Sequence, residues 1–205
     1  AGSLFYLKKV NPTIKVCAPD GNKPWFTYYF FKDAQDFEWG QSLTHKSITF
    51  TFLPANHWSQ RGLFDKNTTL WGSWMMSAGD KNIYFAGDTA YGPHFTDISK
   101  QFNPITHALL PIGPGEPHHW MKHSHMNSAQ AVQSFEDLKA ELFVPMHWGT
   151  FALGDDDVDD PINALHQSWK EGHFNHDQLR VLKVGQQIIK DNGVHLSIKK
   201  QEVKR

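Results

Sequence analysis

Hydrophobic positions switch repeatedly between helical spacing and strand-like runs, and the switches predict a layered fold. Leu4, Leu7 and Val10 have helical spacing ahead of Asn11-Pro12, and residues 14–18 read as a short strand closed by Pro19-Asp20-Gly21. The aromatic-rich segment 25–31 fits either a strand or a helix. Residues 47–53 alternate with period two, carry β-branched and aromatic side chains, and stop at Pro54 as a half-buried strand. Residues 69–76, 82–86 and 107–112 are further strands, the first two joined through the turn signal Ala78-Gly79-Asp80-Lys81. A short helix over 95–102 separates the last two. A helix over 128–138 places Ala131, Val132, Phe135 and Leu138 on one face, has Asn127 or Ser128 as its N-cap, and leads into a buried strand over 142–146. Asp160-Pro161 opens a helix running to Trp169, and a last strand lies over 193–198 or 186–190. No repeat, low-complexity segment or dividing linker interrupts this order. Residues 1–205 are therefore expected to form one α/β or α+β domain.

Composition narrows the classes. Hydrophobic content of 40% and aromatic content of 14% are too high for a disordered chain. With 20 Lys+Arg against 21 Asp+Glu the formal charge is −1, which argues against a strong nucleic-acid binder. The one basic cluster, Lys199, Lys200, Lys204 and Arg205, reads as a solvated terminus. The single Cys17 forms no internal disulfide and reads as a buried small hydrophobe. No apolar run approaches the roughly 18 residues of a membrane span, so the expectation is a soluble chain, cytoplasmic or peripheral to a membrane.

Three predicted strands each run out into a residue that can bind a metal: 47–53 reaches His57, 82–86 reaches Asp88, and 142–146 reaches His147. Strand ends on one rim are where layered folds build sites. Imidazole nitrogens and a carboxylate form a sensible set for Zn²⁺, and Gly87 and Gly149 allow tight turns beside them. For each residue taken alone, a hydrogen-bonded structural role is as compatible with the spacing. His118, His119, His123 and His125 form a second cluster, read as a loop at the mouth of a pocket with at most one functional histidine, because adjacent His118 and His119 cannot face one way in an extended segment. The aspartates at 155, 156, 157, 159 and 160 lack the glycine and terminal glutamate of a calcium loop, and read as a solvated acidic loop before a helix. Neither a glycine-rich phosphate loop nor a nucleophile elbow occurs.

The motifs Pro54-Ala55-Asn56-His57-Trp58-Ser59, Thr69-Leu70-Trp71-Gly72-Ser73-Trp74, Phe85-Ala86-Gly87-Asp88-Thr89, Glu116-Pro117 with Trp120-Met121-Lys122, and Met146-His147-Trp148-Gly149-Thr150-Phe151 together resemble the metallo-β-lactamase superfamily. More narrowly, they resemble its N-acyl-phosphatidylethanolamine-hydrolysing phospholipase D branch. The resemblance implies an αββα sandwich with two zinc ions at one edge. In it His57 corresponds to a ligand of one zinc, Asp88 to the bridging aspartate and His147 to a ligand of the second. His125 corresponds to a catalytic or substrate-contacting histidine, with Trp74 and Trp120 beside the substrate. Trp58, Trp71, Trp74 and Trp148 are candidates for an apolar approach that suits an acyl chain, and serve equally as core aromatics. The implied reaction is attack of a metal-bound hydroxide on a phosphodiester. Hydrolysis of lactones or other esters is the alternative within the same superfamily, a metal-poor binding domain is the non-enzymatic rival, and a nuclease ranks third.

The superfamily's His-x-His-x-Asp-His motif is absent from these 205 residues; the nearest approach, His123-Ser124-His125, continues Met126-Asn127. The expectation is that this chain is the C-terminal portion of the fold, with partial or no zinc occupancy and little activity alone. An exposed sheet edge would then favour a homo-oligomer or pairing with the absent N-terminal segment.

Overall fold

The computed structural model describes residues 2–151, 154–190 and 196–200. The chain opens with α1 (Gly2–Val10), β1 (Cys17–Pro19), α2 (Lys23–Tyr28) and β2 (Gln35–Phe37). It continues through β3 (Ser42–His45), β4 (Ile48–Leu53), β5 (Ser73–Ala78), β6 (Lys81–Phe85), α3 (His94–Gln101) and β7 (Ile105–Pro111). Then follow α4 (His118–Met121), α5 (Ser128–Leu138), β8 (Ala140–Met146), α6 (Asp160–Glu171), β9 (Gln186–Lys190) and β10 (Leu196–Lys200). Six strands form one sheet in the order β3-β4-β5-β6-β7-β8. Pairing is antiparallel from β3 to β6 and parallel from β6 to β8. Strands β4, β6, β7 and β8 therefore all point the same way, and their C-terminal ends share one edge.

Parallel neighbours need crossovers, supplied by α3 between β6 and β7 and by α5 between β7 and β8. Helix α5 forms because Asn127 and Gln130 make a reciprocal capping box and Lys139 ends it in the left-handed conformation. Its buried face, Ala131, Val132, Ser134, Phe135 and Leu138, packs on the sheet. The core joins Met75, Tyr84, Ala108, Leu110 and Phe143 from the strands to side chains of α3, α5 and α6. At its centre the fully buried Trp169 lies 5.2 Å from the Phe135 ring and 4.9 Å from that of Phe174, and its Nε1 donates to the Asn175 carbonyl. Elsewhere Phe52 and Trp74 pair across β4 and β5, and Phe37 of β2 meets Trp74 edge-on at 5.4 Å.

Several boundaries differ from the sequence reading. The strand expected over 14–18 is Cys17–Pro19, and the one expected over 69–76 is Ser73–Ala78, because residues 70–72 form loop around the site. The ambiguous 25–31 segment is the helix α2. Of the alternatives for the last strand, 186–190 is β9 and 193–198 overlaps β10, and the two strands pair antiparallel; positions 193–195, like Lys204 and Arg205, lie outside the described residues. Strands β2 and β3 and the short helix α4 carry too little periodicity to stand out. Helix α1 buries none of its side chains. Cys17 is half-buried rather than buried, and burial raises its thiol pKa. No helix among the described residues is long and apolar enough to cross a membrane.

Helix α3 begins at His94, whose Nε2 lies 3.3 Å from the Thr89 hydroxyl and whose Nδ1 is buried with no partner among the described residues. Burial holds this histidine neutral, lowering its pKa to about 4, with Asp97 opposing the shift.

Two predictions follow from this packing. Trp169→Ala leaves a large cavity at the helix-sheet junction and should cost about 3–5 kcal/mol, read from the urea midpoint. The depressed His94 pKa contributes stability that is full above the ordinary histidine value near 6.5 and is lost as pH falls toward 4. Between those limits His94→Phe should flatten the pH dependence of the urea midpoint by on the order of 2–3 kcal/mol; an identical slope in both proteins contradicts the assignment.

Candidate functional site

Four polar side chains meet where the parallel strands end. His57 follows β4 through a loop tied down twice: the Asn56 amide donates to the Thr89 hydroxyl at 2.9 Å, and the Ala90 amide to the Asn56 carbonyl at 2.8 Å. Asp88 follows β6, reached through Gly87 at φ +65°, where a Cβ would also press on the Gly72 carbonyl at 3.2 Å. His147 follows β8 and has φ +60°. The Ile112 amide donates to the Met146 carbonyl, extending the β7–β8 pairing and bringing Gly113 beside His147.

The His147 Nδ1 lies 2.6 Å from the Gly113 carbonyl oxygen, and its Nε2 lies 3.3 Å from Oδ1 of Asp88. A carbonyl only accepts, so Nδ1 carries a proton and Nε2 faces the carboxylate. His57 repeats the device, with Nδ1 2.8 Å from the Trp58 carbonyl and its ring stacked on the Trp58 indole. His125 sits between the two histidines, edge-on to His57 at 5.2 Å and stacked on His147 at 5.6 Å. Burial is the main cause of its lowered pKa; His57 and His147 add to the effect and Asp88 opposes it. Its Nδ1 is buried with no partner among the described residues.

Two cavities flank this cluster. One of about 440 Å³ opens beside His57 and Asp88 and is lined by Phe26, Trp58, Arg61 and Trp71. The other, of about 260 Å³, lies on the far side of His147 against Pro114, Trp148, Phe151 and Pro161.

The structure brings Asp88 to His147, and His125 lies between His57 and His147 at the same edge. Of the other histidines, His118 starts α4, His119 packs on Trp120, and His123 is exposed. Trp120 is exposed on α4, and Trp74 is packed between Phe37 and Phe52. The sequence reading missed the Gly113 carbonyl and the Thr89 hydroxyl; only the positions of Gly113 at a strand end and Thr89 beside Asp88 hinted at them.

The donor chemistry fits a divalent metal in part. Imidazole Nε2 atoms fixed from behind by backbone carbonyls, beside a carboxylate, form a common ligand arrangement. Among the described residues, however, no group of three or more His, Cys, Asp or Glu side chains is close enough to hold an ion as a set.

Residues 10–148 match the beta-lactamase superfamily domain. The chain is 34% identical over 164 residues to N-acyl-phosphatidylethanolamine-hydrolyzing phospholipase D 1 of Caenorhabditis elegans, covering 75% of this chain and 46% of that protein. It is 31% identical over 163 residues to the mitochondrial N-acyl-phosphatidylethanolamine-hydrolyzing phospholipase D of Saccharomyces cerevisiae, covering 76% and 35%. It therefore spans less than half the length of either relative. Among solved structures it resembles Igni18, a metallo hydrolase from Ignicoccus hospitalis, with TM-score 0.65 and 22% identity over 89% of this chain and 70% of that one. A family match across most of the chain, on a sheet whose strand ends gather His57, Asp88 and His147, places this protein in the beta-lactamase superfamily, with the metallo-β-lactamase fold.

Proposed function

We propose that this chain carries the His57, Asp88 and His147 part of a metal-dependent hydrolase site, and that the site acts on the phosphodiester of an N-acylated phospholipid. The observation that carries this reading is the His147 Nε2 held 3.3 Å from the Asp88 carboxylate, an arrangement that a shared cation satisfies. The worm and yeast relatives, named for hydrolysis of N-acyl-phosphatidylethanolamine, support the substrate class.

His57 and His147 would hold the metal through Nε2, with Asp88 placed beside both. When bound, a divalent metal supplies Lewis acidity at this edge. Zinc suits such donors, and iron suits them too. His125 offers a ring nitrogen to the substrate from between the two histidines. The half-exposed Trp58 and Trp71 give the larger cavity an apolar wall for a chain, and Arg61 gives it a positive charge for a phosphate.

Calorimetric titration of the chelator-free chain with Zn²⁺ and Fe²⁺ tests the ligand assignment. The expected result is weak binding at one metal or less per chain, because only part of a shell is present. His147→Ala and Asp88→Ala should each weaken it at least about tenfold, since losing even a ligand's outer partner costs that much. Unchanged affinity in both variants overturns the assignment. The substrate class is tested by product analysis on a chain that also carries the His-x-His-x-Asp-His segment. Release of phosphatidic acid and N-acylethanolamine is expected, whereas turnover of lactones or simple esters alone overturns the phospholipid reading.

A further inference from the structure

The acidic segment before α6 does more than solvate a helix end. Asp156 is half-buried, and its Oδ2 accepts from two successive backbone amides, Gly115 at 2.8 Å and Glu116 at 3.0 Å. The Asp155 amide donates in return to the Glu116 carbonyl at 3.1 Å. Gly154 lies so close that a Cβ there would collide with the same carbonyl. Across the loop, the Ser128 hydroxyl lies within hydrogen-bonding distance of the Ile112 and Pro161 carbonyls. The loop 113–117 is thereby fastened at both ends, and its Gly113 carbonyl is the group that accepts the His147 Nδ1 proton.

We propose that Asp156 is a positioning residue for His147: by clamping loop 113–117 it keeps the Gly113 carbonyl in place and holds the imidazole in the tautomer whose Nε2 faces Asp88. A carboxylate oxygen suits this task because one acceptor can take two adjacent amides. The neighbouring aspartates do not share it: the Asp160 carboxylate is used locally by the Asp157 amide, and the Asp155 side chain is exposed. The value of this device to catalysis rests on the reading of His147 as a metal ligand. The positioning itself is measured without metal, so the two can fail separately.

The test is a long-range ¹H–¹⁵N spectrum of the imidazole nitrogens in the metal-free chain, with circular dichroism as the check on folding. Wild type should show His147 as the Nδ1–H tautomer. Asp156→Ala, still folded, should lose that single form and show the Nε2–H tautomer as well. Asp156→Asn, whose amide oxygen accepts the same two amides, should restore it, and Asp155→Ala should leave it untouched. An unchanged His147 tautomer in folded Asp156→Ala overturns the proposal. Should that variant not fold, wild-type amide exchange decides: slow exchange at Gly115 and Glu116 upholds the clamp, and exchange at the rate of an open loop overturns it.

Discussion

The parallel pairing of β6, β7 and β8 is the constraint on which the rest of the molecule depends. With β4 sharing their direction, it collects four strand ends on one edge; His57, Asp88 and His147 each lie within a few residues of such an end, and His125 comes from the loop between α4 and α5. It also requires α3 and α5 as crossovers, so the core and the site are products of one topology. The apolar faces of α3 and α5 bury the sheet, while the loops that lead into them are free to carry Asp88 and His125.

What gathers at that edge is unfavourable by itself. Three imidazoles, with ring centroids 5.2 and 5.6 Å apart along the row His57-His125-His147, crowd beside one carboxylate. Such a group persists because its backbone scaffolding is set elsewhere, by bonds from the Asn56 amide to the Thr89 hydroxyl, from His57 to the Trp58 carbonyl and from His147 to the Gly113 carbonyl. The buried Nδ1 of His125, without a partner among the described residues, adds a further cost.

The long elements were legible in the sequence for definite reasons. Helix α5 has both a 3.6-residue apolar face and a capping box, so local pattern and burial agree, and β4 is marked by its β-branched and aromatic residues, although its burial deepens toward Leu53 rather than alternating. The three strand-end ligand candidates were legible because each sits next to such an element. Strands β2 and β3 were not, since three or four residues with mixed burial leave no period to detect. The shift of β5 to Ser73–Ala78 has a similar origin: Thr69, Leu70 and Trp71 have strand-like composition, but the Leu70 amide bonds to the Asp20 carbonyl and the Trp71 Nε1 to Ala55, which draws them out of the ladder. Asp156 was illegible because its partners are backbone amides some forty residues away. Sequence pattern reports faces of elements, and it is silent about which loop a carboxylate will clamp.

The conformation of His147 joins these threads. A non-glycine residue at φ +60° is strained by roughly 1–2 kcal/mol, so something in the fold must hold it there. The β7–β8 pairing continues one step past the ends of both strands through the Ile112 amide, leaving the chain after Met146 no extended path that keeps the histidine over Gly113. The left-handed turn provides that path, and Gly149 at φ +72° completes the reversal two residues on. The Nδ1–H bond to Gly113, about 0.5–1.5 kcal/mol, is of the same order as the strain it accompanies. Backbone strain, imidazole tautomer and the approach to Asp88 are thus set together, by a turn that serves the orientation of one ring rather than the stability of the sheet.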